Sequence, residues 1–289
     1  MLLSLSKIAD TVGQRFLVVE PFPQPPVVRT RYPVVLMHGF GLLAALRRGG
    51  HLHDTAMYLR SHGVLAYAPN VAPYSTVADR SETWKQGIER ILHETGAEKV
   101  NLIAQSMGGL DARYLISKLG MHEVVASLST ISTPHRGSGI ANYVLRQPER
   151  VQEWLAGLCN WMGQVSVAGC TANFLKCVEQ LTPEYVTGTF NPEVPDHPAV
   201  TYWSYAGVAG KDTDVPISPW LGFLNSILYR TEGPNDGFVS ERSARWGEYL
   251  GRIPADHACE IGIQIFPGTD FDSNAFYVSI ARKLAESGF

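Results

Sequence analysis

The chain has 289 residues, of which 45% are hydrophobic and 18% charged, so it is long and apolar enough for one domain carrying an insertion. Its formal net charge is −3 with no basic run, which speaks against nucleic acid, and no stretch approaches the roughly 18 uninterrupted apolar residues of a membrane-spanning helix. Four cysteines without a C-x-x-C argue against a disulfide scaffold and a zinc site, although Cys159, Cys170 and Cys177 fall close enough for a local disulfide.

The opening "MLLSLSKIADTVGQ" lacks a basic n-region, and Ser4, Ser6 and Lys7 cut its apolar run, so an ordinary cleavable export signal is not expected. "YPVVLMHG" (Tyr32 to Gly39) is a β-branched run ending in glycine, suited to a strand buried on both faces. "VLAYAPN" (Val64 to Asn70) reads as a second strand. From about Ala78 to Thr95, Trp84, Ile88, Ile91 and Leu92 share one helical face, with Gly96 as the stop. "KVNLIAQ" (Lys99 to Gln105) is the next strand, Met107 to Leu119 the next helix, and "VVASLSTIST" (Val124 to Thr133) a further strand ended by Pro134. Such alternation predicts an α/β fold with a mostly parallel central sheet flanked by helices, its reactive site at the carboxyl ends of the strands.

Residues 140–183 break the pattern. Val151, Trp154, Leu155, Leu158 and Met162 recur there at helical spacing, as in a helical cap or lid inserted between core segments 1–139 and 184–289. The stripe alone does not separate a helix packed permanently on the core from a movable cap over an acyl pocket. "VTYWSYAGVAG" (Val200 to Gly210) and "GFVSERSARWG" (Gly237 to Gly247) read as strand and loop, and Phe276, Ile280 and Leu284 mark a closing helix.

Between strand and helix, "NLIAQSMGGLDARY" places Ser106 where a crowded turn needs small residues two positions to either side. Ala104 and Gly108 supply them, in a variant of G-x-S-x-G. "MHGFG" (Met37 to Gly41) ends the first strand. Attack on a carbonyl develops an oxyanion, for which two backbone N–H groups are needed: one from Met107, one from this loop at Phe40. Asp236 in "GPNDGFV" and His257 in "PADHACEIG" follow in the chain order expected of an α/β-hydrolase, as the acid that orients the imidazole and the base that takes the serine proton.

The competing residues read differently. His38 belongs to the oxyanion loop, while His51 and His53 beside Asp54 read as polar surface. His197 lies upstream of Asp236, and His135 is too close in sequence to the elbow to serve it. Asp256 adjoins His257, so its side chain is poorly placed to meet it, and Asp111 is one turn into the elbow helix, where capping or bridging is expected.

"VVLMHGFG", "KVNLIAQSMGGLDARYL", "STPHRGS", "CVEQLTPEYVTGTFN", "PNDGFV" and "DHACEIG" resemble, in that order, the blocks of the bacterial true lipases of the Pseudomonas, Burkholderia and Proteus type. The resemblance implies an α/β-hydrolase fold, a Ser106–Asp236–His257 triad, Phe40 and Met107 as oxyanion donors, and an extracellular enzyme cleaving triacylglycerol or related esters under a cap that opens at a lipid surface. Three departures stand out. Ala104 replaces the usual glycine. The family's calcium ligands, two and six residues after the histidine, are here Cys259 and Ile263, with the third near Asp214 or Val215, so no calcium and no other cofactor is expected. Glu241 stands where the Pseudomonas members have a disulfide cysteine.

The expectation is a serine ester hydrolase acting on lipid esters, most simply a lipase. Its rivals are a short-chain carboxylesterase or acyltransferase with the same triad, and a catalytically silent α/β-hydrolase that binds a lipid or a protein.

Overall fold

Among the described residues, six parallel strands form one sheet in the order β2-β1-β3-β4-β5-β6. They are β1 (Val34–Met37), β2 (Ala66–Tyr67), β3 (Val100–Gln105), β4 (Val125–Ile131), β5 (Thr201–Gly207) and β6 (Glu248–Ile253). The computed structural model describes residues 26–40, 52–153, 156–157, 173–263 and 270–289. Strands β1, β3 and β4 are buried at every position, and the period of two along a strand sorts their side chains between two cores. Val34 and Leu36 join Leu59, Tyr277, Ile280 and Leu284 on one side. Val35 and Met37 join Trp84, Ile88, Leu115 and Ile116 on the other. Each fully buried side chain of this size contributes roughly 1.5–3 kcal/mol.

Helices cover both faces: α1 (His53–Ser61) and α7 (Ser273–Glu286) one, α2 (Val77–Thr95) and α3 (Gly108–Lys118) the other. Helix α2 starts where the Thr76 side chain accepts from the Asp79 N–H, and ends at Gly96, whose φ of 65° lets its N–H return to the Leu92 carbonyl. Between β4 and β5 the chain forms α4 (Gly139–Leu145), α5 (Phe174–Glu179) and short turns through Glu193. Helix α6 (Pro219–Glu232) separates β5 from β6.

The strand expected over Val64 to Asn70 shrinks to Ala66–Tyr67, because the segment runs into Pro69, which has no N–H for the ladder. Gly237 to Gly247 contains no strand. It holds a loop and a short helix, Glu241–Ala244, and the strand comes after it, as β6. Among the described residues that strand is the sheet edge, half exposed and carrying Glu248, Tyr249 and Arg252, so it has no apolar run to announce it. Helices α1 and α6 were likewise not marked by the motifs. Within residues 140–183, Val151 sits in a helical stretch and is 41% exposed, whereas Trp154, Leu155, Leu158, Met162, Cys159 and Cys170 lie outside the described residues.

The chain leaves β1 for β2 and returns to β3 on β1's other side. At such a reversal the connections at the strands' carboxyl ends part and open a crevice. The 38–40 loop, Ser106 and residues 132–137 all follow directly from β1, β3 and β4 at that end.

Candidate active site

Ser106 sits between the last residue of β3 and the first turn of α3, with φ of 57°, a left-handed value that a residue with a Cβ adopts only when its surroundings hold it there. Three contacts do so. The Ser106 N–H donates to the Ile131 carbonyl at 2.9 Å, and its carbonyl accepts from the Thr133 hydroxyl at 2.7 Å. The first-strand loop closes in from the other side: a Cβ built on Gly39 would lie 2.5 Å from the Ser106 Cβ, and one on Gly108 would lie 2.8 Å from the His38 carbonyl oxygen. Glycine is the side chain that permits both approaches.

The 38–40 loop is fixed from below. Arg80, fully buried on α2, donates to the carbonyls of Ala72 and His38 at 2.8 Å and of Gly39 at 3.3 Å, and pairs with Asp111 of α3 at 2.8 Å. Trp84 Nε1 donates to the same Asp111 oxygen at 3.2 Å. Burial, opposed by Arg80, pushes the Asp111 carboxyl up to about 6. The imidazole of His38 accepts from the Val71 N–H at Nε2, 3.2 Å away, and its Nδ1 lies 3.0 Å from the Gly39 carbonyl, so this histidine shapes the loop. Phe40, in the same loop, packs on Tyr74 and on Phe174 of α5, with ring centroids 5.0 and 5.7 Å apart. Among the described residues, neither the Phe40 nor the Met107 amide N–H donates a hydrogen bond.

Across the crevice His257 reaches Ser106. Its Nε2 lies 2.8 Å from the Ser106 Oγ and its Nδ1 2.6 Å from the Asp236 Oδ2. Asp236 is fully buried, and its other oxygen accepts from the N–H groups of Phe238 and Val239 at 2.8 and 2.7 Å. Burial pushes that carboxyl up, but the His257 charge and these hydrogen bonds prevail and hold it below the usual carboxylate range. Burial pulls the imidazole down, and the adjacent Asp236 carboxylate more than reverses this, lifting His257 to about 9.

Two further residues, Glu260 and Gln105, stand behind the histidine and carry no recognised motif. Gln105 Nε2 donates to Glu260 Oε2 at 3.0 Å and to the His257 carbonyl at 3.3 Å. Glu260 Oε1 shares a 2.5 Å hydrogen bond with Ser132, and its Oε2 lies 3.7 Å from His257 Nδ1. Burial and the Asp236 charge push Glu260 well above the usual carboxylate range, which favours its protonated form. The available signal was a glutamate in the apolar run "ACEIG".

The competitors are elsewhere engaged. His135 is buried, stacked on Trp246 and bonded to Thr130 at 3.1 Å, and burial with the Arg113 and Arg136 charges drives it well below the usual imidazole range. His197 stacks on His122 at 3.9 Å. His51 lies outside the described residues, and His53 opens α1. Among the described residues, the one group of three metal-capable side chains is Asp236, His257 and Glu260, in which Asp236 and His257 bond each other and Glu260 bonds Gln105 and Ser132.

A parallel sheet with a strained serine at a strand-to-helix turn, backed by a hydrogen-bonded histidine and aspartate, defines a serine hydrolase of the α/β-hydrolase fold. No family model matches the chain. It is similar to Triacylglycerol lipase 2 of Saccharomyces cerevisiae, 31% identical across 80% of this chain and 72% of the relative. It is also similar to a triacylglycerol lipase of Vibrio cholerae, 35% identical across 92% of this chain and 91% of the relative. A metagenomic carboxyl esterase superposes with a TM-score of 0.74 across 93% of this chain and 80% of its own at 18% identity, a likeness of fold alone. The chain belongs to the triacylglycerol lipase family, and it is a carboxylic ester hydrolase.

Proposed function

We propose that this enzyme cleaves long-chain lipid esters, triacylglycerol above all, through an acyl intermediate on Ser106. The observation that carries the proposal is the unbroken line from Ser106 Oγ to His257 to Asp236, at 2.8 and 2.6 Å. In the forward step His257 Nε2 takes the Ser106 proton as Oγ attacks the ester carbonyl. The negative charge that develops on the carbonyl oxygen meets the N–H groups of Phe40 and Met107, which have no other hydrogen-bond acceptor among the described residues. His257 then returns its proton to the departing alcohol. Water, losing a proton to the same nitrogen, attacks the acyl-serine, and His257 returns that proton to Ser106 Oγ as the carboxylic acid leaves. Asp236 holds the imidazole with Nε2 toward the serine and balances its charge. Each proton and charge in the cycle has a named side chain or backbone N–H of this chain, so the proposal includes no cofactor.

Lipid esters suit the surroundings. Helix α6 exposes Trp220 and Phe223, the latter by 64%, with Leu224 and Ile227 half-buried on the same face. Trp220 packs on Phe238, and Phe238 on His257, with ring centroids 6.1 and 5.3 Å apart, so an apolar path leads from the surface to the base. Together with Val151 in residues 140–183, taken here as a cap, these side chains favour a lipid–water interface as the place of action. We place the chain beside the Pseudomonas, Burkholderia and Proteus lipases on the six sequence blocks quoted above.

The test is hydrolysis of p-nitrophenyl esters from acetate to palmitate and of emulsified triolein, with Ser106→Ala as control. Long-chain activity that rises at the emulsion interface and vanishes in the variant is expected. Activity confined to acetate and butyrate would make it a short-chain esterase.

A further inference from the structure

The turn that carries His257 hangs from the end of the edge strand β6 and needs an anchor if the imidazole is to stay on the Ser106 line. In the lipases that this chain resembles, calcium ties that turn to the segment between β5 and the catalytic aspartate. The side chains here do not fit such an ion. Cys259 is buried in the apolar cluster around Ile261 and Tyr277, and Ile263 packs against the same cluster. Calcium binds hard oxygens, six or more of them, and the side chains at these two positions offer none.

A carboxylate one residue before the histidine spans the same gap. Asp256 is fully buried. Its Oδ1 accepts from the N–H groups of Ala258 and Cys259 at 3.0 and 2.9 Å, which shapes the turn locally. Its Oδ2 accepts from the N–H of Ser218, at the start of α6, at 2.8 Å. The His257 N–H itself donates to the Asp236 carbonyl at 3.0 Å and the His257 carbonyl accepts from Gln105 at 3.3 Å, so Asp256 adds the tether from this turn to the start of α6.

We propose that Asp256 is a positioning residue for His257, and that its hydrogen bond to Ser218 takes over, without a metal, the bracing that the resemblance assigns to calcium. The proposal rests on His257 being the catalytic base. It assigns a role to the buried acid that sequence adjacency had set aside, and it predicts an enzyme indifferent to calcium.

Ser218 has φ of −53°, within the range that proline fixes, so Ser218→Pro deletes the donor N–H while keeping the backbone angle and the Asp256 charge. Asp256→Asn is the second variant: its amide oxygen keeps the local turn and its NH2 faces the Ser218 N–H. Both are compared with the wild-type enzyme on p-nitrophenyl butyrate, with EGTA and with added calcium. Active sites are counted with a serine-reactive phosphonate. In Ser218→Pro, kcat per titrated site should fall about tenfold to a hundredfold with KM nearly unchanged. The acid limb of kcat/KM should move down toward 6.5, because a loosened imidazole pairs less well with Asp236. Asp256→Asn should show the same loss per site, and neither EGTA nor calcium should affect the wild type.

A brace that matters only to folding lowers the titratable fraction and leaves kcat per site and the acid limb at wild-type values, which would overturn the proposal. Loss of wild-type activity in EGTA with recovery in calcium would overturn it too. The low-field proton resonance of His257 Nδ1–H provides a readout independent of turnover. Its loss in Ser218→Pro supports the brace even if every ester proves inert, an outcome that would instead sink the catalytic assignment; its persistence counts against the brace.

Discussion

Arg80 and Asp111, one on α2 and one on α3, form a fully buried ion pair at 2.8 Å, and the same guanidinium binds the carbonyls of His38 and Gly39. The pair therefore joins the elbow helix to the loop that carries Phe40. Removing one member strands the other's charge out of water, which costs about 3–5 kcal/mol, whereas replacing both with apolar groups is often close to neutral. Arg80→Met should therefore destabilise the enzyme by that amount in urea unfolding. Arg80→Met/Asp111→Leu should recover most of it, less the hydrogen bond to Trp84. The loop carbonyls stay unanchored in both, so kcat per titrated site should remain down by about tenfold or more. A double variant with full kcat would show that the pair serves stability alone.

The spacing around Ser106 gives a second pair of outcomes. Ala104 is buried in β3, and the strained turn tolerates its methyl, so Ala104→Gly should keep activity within a few-fold and cost about 1 kcal/mol. Gly39→Ala is different in kind. Its methyl would sit 2.5 Å from the Ser106 Cβ and 2.9 Å from the Met107 nitrogen, forcing apart the two sides of the proposed oxyanion site. Loss of one such donor costs about a hundredfold to a thousandfold in kcat. Steady-state kinetics on p-nitrophenyl butyrate decides it, and near-wild-type turnover in Gly39→Ala would remove Phe40 from the assignment.

The pH dependence follows from His257. The base must be neutral to take the serine proton, so activity rises with pH through its pKa. Because Asp236 lifts that value to about 9, the acid limb of kcat/KM should lie well above 6.5 and the optimum should be alkaline. Asp236→Asn should lower kcat by about ten-thousandfold and return the limb toward 6.5. Rates are corrected with Ser106→Ala, which removes spontaneous alkaline hydrolysis. A limb at or below 6.5 in the wild type would contradict the geometry.

The parts of the site readable in the sequence were those whose chemistry is local. Ser106 sits between an apolar strand and a helix, Asp236 in an N-D-G turn, and His257 downstream of both, so adjacency and order identify them. Arg80, Gln105 and Glu260 act through partners 31, 152 and 128 residues away along the chain, and no short pattern encodes those contacts. The fold divides the same way. The central strands, buried on both faces, stand out as apolar runs, while β6, polar and at the edge, and α6, with apolar side chains on both its buried and its exposed faces, do not.

Glu260 makes the last prediction. Folding buries its carboxyl beside Asp236 and raises its pKa well above 4.5, so the native state binds this proton more tightly than the unfolded chain does. Its contribution to stability is therefore present below pH 4.5 and is lost as pH rises toward the native pKa. Glutamine imitates the protonated acid in carrying no charge: its oxygen can accept the hydrogen bond that Gln105 donates to Oε2 at 3.0 Å, and its NH2 then stands at Oε1, where the Ser132 hydroxyl, which donates there in the native protein, turns to accept. Melting temperatures of wild type and Glu260→Gln, taken from pH 5 to pH 9, should diverge in favour of the variant as pH rises. If Glu260 stays protonated while His257 titrates, the acid limb of kcat/KM should be the same in both. Parallel melting curves would mean that the native state does not raise the Glu260 pKa. A limb that falls in Glu260→Gln would mean that Glu260 is ionised while His257 titrates, and that its charge helps Asp236 hold the proton on His257.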